Sequence, residues 1–395
     1  MNELLKNGIL NSLARLLAEN KSGLTEANEL DVSACPPDDA VIMDRLKVDG
    51  AKVETMIASV LSVIALPDPE GKLISSHTRS DGLLIENRQV PFGTILIIYE
   101  ARPDVSIEAA IIALKAGNRI LLKGGKEARH TNLFLANLWR LALEENHADP
   151  DFVRYLDLSR EETRELICGE RDKFDLVIPR GGETLIDFVV KNSCAPVIIS
   201  GRGNNFLYID AEADFEMALA IALDGKKHLS VCNALDKVLI HEGLPDLEAK
   251  TTRLINELKG CKIEVFGDDA VRNLHPEVSL FADEMIWHEE FLAAKIVVGV
   301  VKTAAAAVDK INQYSGGHSA AIVTGNPETA EQFLRDVDCA AVYHNASIRF
   351  TDGGEFGLGA EIAISTQKLH FRGPLGAEHL LTNKWYVFGN GHVRK

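Results

Sequence analysis

Near the N-terminus, Leu4, Leu5, Ile9, Leu13, Leu16 and Leu17 recur at helical spacing. Residues 44–64 carry apolar side chains at the same interval, so the first 65 residues read as helices. The pattern stops before Pro67-Asp68-Pro69-Glu70-Gly71, a turn by composition. Across 72–90, two polar-alternating runs flank Ser80-Asp81-Gly82, and Asp-Gly between such runs predicts a hairpin. A hairpin so poor in apolar residues needs another surface to lie against, and a partner subunit is one candidate.

Beyond residue 90 short apolar runs alternate with helical ones. Residues 93–99 (GTILIIY), 119–123 (RILLK), 151–156, 175–179 (DLVIP) and 196–200 (PVIIS) read as strands, with helices at 106–116, 126–145, 161–168 and 183–190. The alternation resumes with strands predicted at 236–241, 262–266, 295–301, 319–324 and 340–344, and helices near 247–258, 304–314 and 327–335. This order implies mostly parallel sheets covered on both faces, and two α/β units. The closing stretch, 371–395, contains TNKWYVFGNGHVR and reads as an edge strand.

Composition narrows the functional classes. A chain of 395 residues has room for two or three domains, and 46% apolar with 25% charged content is ordinary for a soluble globular protein. With 58 Asp+Glu against 42 Lys+Arg, the net charge of −16 works against binding nucleic acid or an anionic membrane. A local basic pocket for a phosphorylated ligand remains compatible with it. Glu3, Lys6, Arg15 and Glu19 interrupt the first apolar stretch, so an amphipathic helix is expected there and not a secretion signal, and no run approaches the roughly 18 apolar residues of a membrane span. The cysteines at 35, 168, 194, 232, 261 and 339 form no C-x-x-C pair and have no zinc-site spacing. No metal site is expected, and reduced thiols fit a cytoplasmic protein.

Chemistry concentrates at a few places. Cys232 stands in GKKHLSVCNALDKVLI, after Lys226, Lys227 and His228 and before Asn233. Thiolate is the nucleophilic form, and neighbouring cations lower a cysteine pKa, which makes Cys232 a candidate covalent catalyst. The alternative is a buried small hydrophobe. Lys123-Gly124-Gly125 and Arg180-Gly181-Gly182 are glycine turns between strand and helix, where free N–H groups and the helix dipole favour a phosphate; glycine also simply makes tight turns. No G-x-G-x-x-G or Walker-type loop is present, and 201–206 (GRGNNF) fails the dinucleotide fingerprint at its last position. Arg102, closing the first parallel strand, either grips a carboxylate or phosphate or pairs with Glu100 or Asp104. The loop 345–357, dense in small and polar residues and holding Ser347 and Arg349, is a usual place for binding groups. His318 is a lone histidine and more ordinarily structural.

These residues carry a resemblance. VPFGTILIIYEARPDVSIEAA, KAGNRILLKGGKEARHTN, LVIPRGGETLI, VCNA, GGHSAAIVTGN, NASIRFTDGGEFGLGAEIAISTQKLHFRGPLG and GNGHVR occur in the order seen in gamma-glutamyl phosphate reductases (glutamate-5-semialdehyde dehydrogenases) of the aldehyde dehydrogenase superfamily. The resemblance covers the chain from about residue 28 onward. It implies an aldehyde-dehydrogenase-like α/β fold: an NADP-binding domain at 1–225, a catalytic domain at 226–370, and an oligomerisation arm made from hairpin 72–90 and a C-terminal strand in 371–395. It implies Cys232 as nucleophile, Lys123 at the adenosine ribose, Gly124 and the Gly181-Gly182 turn at the cofactor phosphates, and Glu290 at the nicotinamide ribose. A substrate with a carboxylate and a phosphate needs cations, for which Arg102 and Arg349 are the candidates, and Asn233 and Ser347 are the further expected substrate contacts.

The implied reaction is reduction of L-glutamyl 5-phosphate by NADPH to glutamate 5-semialdehyde, with release of phosphate, in proline biosynthesis. A homodimer or larger homo-oligomer, and functional coupling to a glutamate 5-kinase, belong to the same expectation. The chain has Arg202-Gly203-Asn204-Asn205-Phe206 where the family usually has T-G-N-C-H, and Lys227-His228-Leu229-Ser230 where it often has a Q-R-P-G-like lead. It also lacks the carboxylate base that hydrolytic aldehyde dehydrogenases use against their thioester, as suits a reductase. The alternatives are a catalytically impaired nucleotide-binding relative and an NAD-dependent semialdehyde dehydrogenase.

Overall fold

A computed structural model describes the protein at all residues except 37–39, 282, 370 and 395, so the helical reading of the first 65 residues is not addressed at 37–39. The chain forms two compact units. The first comprises residues 1–200, 357–363 and 374–395, and the second 201–356 and 364–373. The boundary at 200–201 comes earlier than the expected 225, so the turn carrying Cys232 lies well inside the second unit.

The first unit opens with four helices, α1 (Glu3–Glu19), α2 (Lys21–Ala34), α3 (Ala40–Leu46) and α4 (Gly50–Ala65). The expected single helix over 44–64 is broken, because Asp49 turns the chain and accepts the Lys52 N–H at 3.0 Å as the cap of α4. The hairpin forms as expected, from β1 (Leu73–Thr78) and β2 (Leu84–Pro91). Next come β3 (Thr94–Tyr99), α5 (Val105–Lys115), β4 (Arg119–Lys123), α6 (Arg129–Glu145), β5 (Val153–Tyr155), α7 (Arg160–Ile167), β6 (Leu176–Arg180) and α8 (Glu183–Asn192). The four strands make a parallel sheet in the order β5-β4-β3-β6. The run PVIIS, expected as a further strand, forms isolated bridges instead, among them one from Val197 to Val177 on β6. Leu96, Ile98, Leu121, Val177 and Val189 are buried together on one face of this sheet.

The second unit begins with β7 (Asn205–Ile209), which sequence pattern missed. It continues through α9 (Phe215–Gly225), β8 (Leu235–His241), α10 (Leu247–Gly260), β9 (Glu264–Gly267), α11 (Asp269–Leu274), β10 (Ser279–Leu280), β11 (Lys295–Val301), α12 (Ala304–Tyr314), β12 (Ser319–Val323), α13 (Pro327–Asp336) and β13 (Ala341–His344). Seven strands form one parallel sheet, ordered β10-β9-β11-β8-β7-β12-β13. Its two faces bury separate cores, one including Leu207, Val238 and Ile240, the other Phe206, Leu239, Trp287 and Val297. β7 and β8 lie side by side at the centre, so the Cys232 turn that leads into β8 rests on the best-buried part of the sheet.

After β14 (Ile364–Ser365) and β15 (Gly373–Pro374), the chain returns to the first unit as β16 (Leu381–Phe388). β16 pairs antiparallel with β2, from Leu381 opposite Pro91 to Phe388 opposite Leu84, completing a three-stranded sheet β1-β2-β16. The expected edge strand near the C-terminus is this one.

Candidate active site

In the second unit, Cys232 occupies a tight turn between α9 and β8, closed by the Ala234 N–H donating to the Val231 carbonyl at 3.1 Å. The thiol is half-buried. Two residues of the approach to β7 hold this turn from beneath. Asn205, fully buried, donates its amide to the carbonyls of Cys232 and Ala234, each at 2.7 Å, and of Gly203 at 2.8 Å. Gly203 lies so close that a Cβ there would overlap the Cys232 carbonyl, so only glycine fits. Asn205 thus does structural work for the cysteine turn at a position where the family pattern has a different residue.

Asn233 joins this turn to the polar loop expected to carry binding groups. Its amide donates to the carbonyls of Arg349 at 3.0 Å and Thr351 at 3.1 Å. Ser347 is buried, and its hydroxyl accepts the Arg349 N–H at 3.3 Å, starting the short helical turn Ile348–Phe350. Behind the loop runs a chain of hydroxyls. Thr351 Oγ1 contacts Ser319 Oγ at 2.8 Å and the Tyr343 hydroxyl at 2.7 Å, and Ser319 Oγ contacts His318 Nδ1 at 2.8 Å. His318 is therefore a buried part of the scaffold. Arg349 is half-buried, and its Nη1 is enclosed with no hydrogen-bond partner among the described residues. A guanidinium nitrogen held in that way suits an incoming anion.

The cations just before Cys232 are arranged differently from the sequence expectation. Lys226 is buried and pairs with Asp236 at 2.6 Å, with neither side chain more than 2% exposed, while Lys227 and His228 face solvent. Lys226 therefore answers a carboxylate on β8 instead of standing open beside the thiol. The other Asp236 oxygen accepts the Phe291 N–H at 2.9 Å. Next to it Lys237, also fully buried, donates to the Glu289 carbonyl at 2.7 Å and lies 4.0 Å from the centre of the Phe291 ring. Burial pushes the Lys237 ammonium down to about 7 against the pull of Asp236, with Lys226 adding to the effect. Glu290, expected at the cofactor ribose, is the half-buried residue between those two anchor points. Asn233, Ser347 and Arg349 thus share one hydrogen-bonded loop beside Cys232, while the neighbours of Glu290 are held by a second set, Asp236 and Lys237. The sequence reading passed over Asp236 and Lys237, although two adjacent charges in the strand LDKVLIH are a readable anomaly.

The other expected residues lie in the first unit. Lys123 ends β4, donates to the Gly124 carbonyl at 2.5 Å, and has its pKa lowered by burial. A Cβ on Gly124 would meet the Asn132 amide, and one on Gly181 the Glu100 carboxylate, so a side chain at either place would have to displace its neighbour. Gly182 caps α8 with nothing near the place of a Cβ, and its N–H donates to the Glu100 carboxylate at 3.0 Å. The Glu100 carboxylate therefore stands where the helix terminus favours an anion. Arg102 follows Ala101, which adopts a left-handed φ of 43° at the end of β3. Of the two carboxylates considered for it, Asp104 pairs with Lys52 and Glu100 accepts the Gly182 N–H.

The aldehyde dehydrogenase family profile matches residues 6–272 and 275–359. Gamma-glutamyl phosphate reductase of Desulfotalea psychrophila is 42% identical over 399 aligned residues, covering 98% of this chain and 93% of the relative. The crystal structure of gamma-glutamyl phosphate reductase from Thermotoga maritima superposes with a TM-score of 0.92 at 39% identity, over 100% of this chain and 95% of that one. An engineered glycolyl-CoA reductase solved with bound NADP+ shares the fold, with a TM-score of 0.69 at 16% identity and 98% and 92% coverage. This chain belongs to the aldehyde dehydrogenase family of oxidoreductases, in its gamma-glutamyl phosphate reductase branch.

Proposed function

We propose that the protein reduces L-glutamyl 5-phosphate to L-glutamate 5-semialdehyde with NADPH, releasing phosphate, as a cytoplasmic step of proline biosynthesis. The observation that carries this reading is the tie between Cys232 and Arg349: the half-buried cysteine sits on a turn whose next residue holds the loop of Arg349, whose enclosed Nη1 has no hydrogen-bond partner among the described residues. The Cys232 thiolate attacks the acyl carbon, a C–S bond forms, and the C–O bond to phosphate breaks. Covalent catalysis divides one hard displacement into two easier ones. Reduced nicotinamide, when bound, supplies the hydride that the thioester accepts. Collapse of the thiohemiacetal returns the thiolate and frees the aldehyde. Gly124, Gly181, Gly182 and Lys123 would hold the phosphates and ribose of the adenosine half, and Glu290 the nicotinamide ribose. Arg102 and Arg349 would take the anionic ends of the substrate, with Asn233 and Ser347 shaping the loop. The nearest carboxylate to follow Gly203, at Asp210, lies beyond β7, so the segment 200–204 offers no base to hydrolyse the thioester.

The test runs the reaction backward. Pyrroline-5-carboxylate, in equilibrium with the semialdehyde, is supplied with NADP and phosphate, and NADPH formation is followed. Wild-type protein should turn over only with phosphate present, and Cys232→Ser should abolish turnover. Activity retained by Cys232→Ser sinks the mechanism. Phosphate-independent turnover points to a hydrolytic dehydrogenase, and no turnover in the wild type to a nucleotide-binding relative.

A further inference from the structure

The register between β7 and β8 is interrupted at one point. Asn205 lies opposite Leu235 and Phe206 opposite Lys237, so Asp236 is an extra residue in β8, a bulge in the parallel ladder. Side chains on a regular strand alternate between faces, and farther along β8 they do, with Val238 and Ile240 in one core and Leu239 in the other. The bulge breaks that alternation at its start. It lets two neighbours, Asp236 and Lys237, reach the same short segment, Asp236 through the Phe291 N–H and Lys237 through the Glu289 carbonyl. The anchored residues flank Glu290 on either side. Asp236 also takes Lys226, which precedes the Cys232 turn, and the Lys226 ammonium lies 5.9 Å from the centre of the Phe291 ring. All three charged groups are at most 3% exposed.

Taking two ammonium groups and a carboxylate out of water is costly, and for stability alone apolar side chains of similar size serve as well. Bulges recur beside active sites, where they redirect side chains. We infer that Asp236, Lys237 and Lys226 are positioning residues: the β8 bulge makes them a clamp that fixes Glu290 for the cofactor relative to the Cys232 turn. The inference rests on the role proposed above for Glu290. None of the three touches the reacting atoms, and each acts through the backbone of 289–291 or through its neighbour.

Direct NADPH binding by fluorescence titration tests this, with alkylation of Cys232 by iodoacetamide as a second readout. Glu290→Gln should weaken NADPH binding about tenfold, and Lys237→Met should do the same while Cys232 alkylation stays within about twofold of wild type. In the double variant the losses should not add, because Lys237 works through Glu290. Asp236→Asn keeps an acceptor for Phe291 but loses the charge, so it should give a smaller loss and serves if Lys237→Met does not fold. Unchanged NADPH affinity in folded Lys237→Met and Asp236→Asn overturns the clamp and leaves the proposed reaction standing, as does full additivity with Glu290→Gln. Absence of NADPH binding by wild-type protein overturns both.

Discussion

Asparagine is the residue type that organises the chemistry of the second unit. Asn204, Asn205 and Asn233 each spend their amide N–H groups on backbone carbonyls, and each leaves its side-chain oxygen buried without a partner among the described residues. Leaving a buried acceptor unpaired costs about 1–3 kcal/mol. Here Asn205 places the carbonyl side of Cys232, Asn233 the loop of Arg349, and Asn204 the backbone of Trp287 and Tyr314. Arg349 gives the corresponding prediction. Its enclosed Nη1 should bind the substrate's anionic group, and hydrogen bonds to charged groups are worth about 1.5–3 kcal/mol. Arg349→Met should therefore raise the substrate KM roughly 10- to 150-fold in the reverse assay, with a smaller change in kcat; an unchanged KM excludes the contact. The sequence singled out Cys232, Asn233 and Arg349 because they are the types such chemistry uses, and the structure sets Asn233 against the Arg349 carbonyl. The place of Lys226 was not legible in the sequence. Its partner Asp236 lies in the following strand, and one-dimensional proximity to Cys232 suggested an electrostatic role that the pairing takes up instead.

Among the elements, those with strong periodicity emerged as expected: the hairpin, β3, β4, β11 and the helices α6, α10, α12 and α13. β7 did not, since its five residues begin at Asn205 and the segment before it looked like a glycine loop. Its run Phe206-Leu207-Tyr208-Ile209 is nonetheless continuous and apolar, the mark of a central parallel strand. The bulge in β8 lies beyond any sequence pattern, because register is a property of two strands together. α5 supplies a pH dependence. Burial pushes the Glu108 carboxyl up to about 8 from an ordinary 4.5; Asp104 and Glu361 add to this, while Lys52 and Arg180 oppose it. A carboxyl with a raised folded-state pKa favours folding while protonated. Its contribution is full below about pH 4.5 and is lost as pH rises through about 8. Glu108→Gln should flatten the fall in urea midpoint between about pH 5 and about pH 9 and be the more stable form at the upper end. Parallel curves for the two proteins would refute the assignment.

For the molecule as a whole, composition and alternation were enough to foresee two α/β units, but not where they divide. The chain passes between them at 200–201, 356–357, 363–364 and 373–374, and no compositional break marks these points. The sheet β1-β2-β16 leaves Leu73, Ile74, Trp385, Val387 and Phe388 exposed, and strand alternation puts Trp385 and Val387 on one face of it. Trp385→Glu combined with Val387→Glu should lower the assembly mass measured by light scattering, and an unchanged mass would rule this sheet out as the interface. The same sheet bears on synthesis. β2 ends at Pro91 and its partner β16 begins at Leu381, 290 residues later. At roughly 5–20 residues per second, the ribosome leaves one edge of β2 without its neighbour for about 15 to 60 s. An open strand edge is a template for pairing with other chains, so a nascent polypeptide carries this exposed ladder through most of its translation. Faster elongation, or a chaperone engaged with the first hundred or so residues, should then set how much of the protein reaches its native fold.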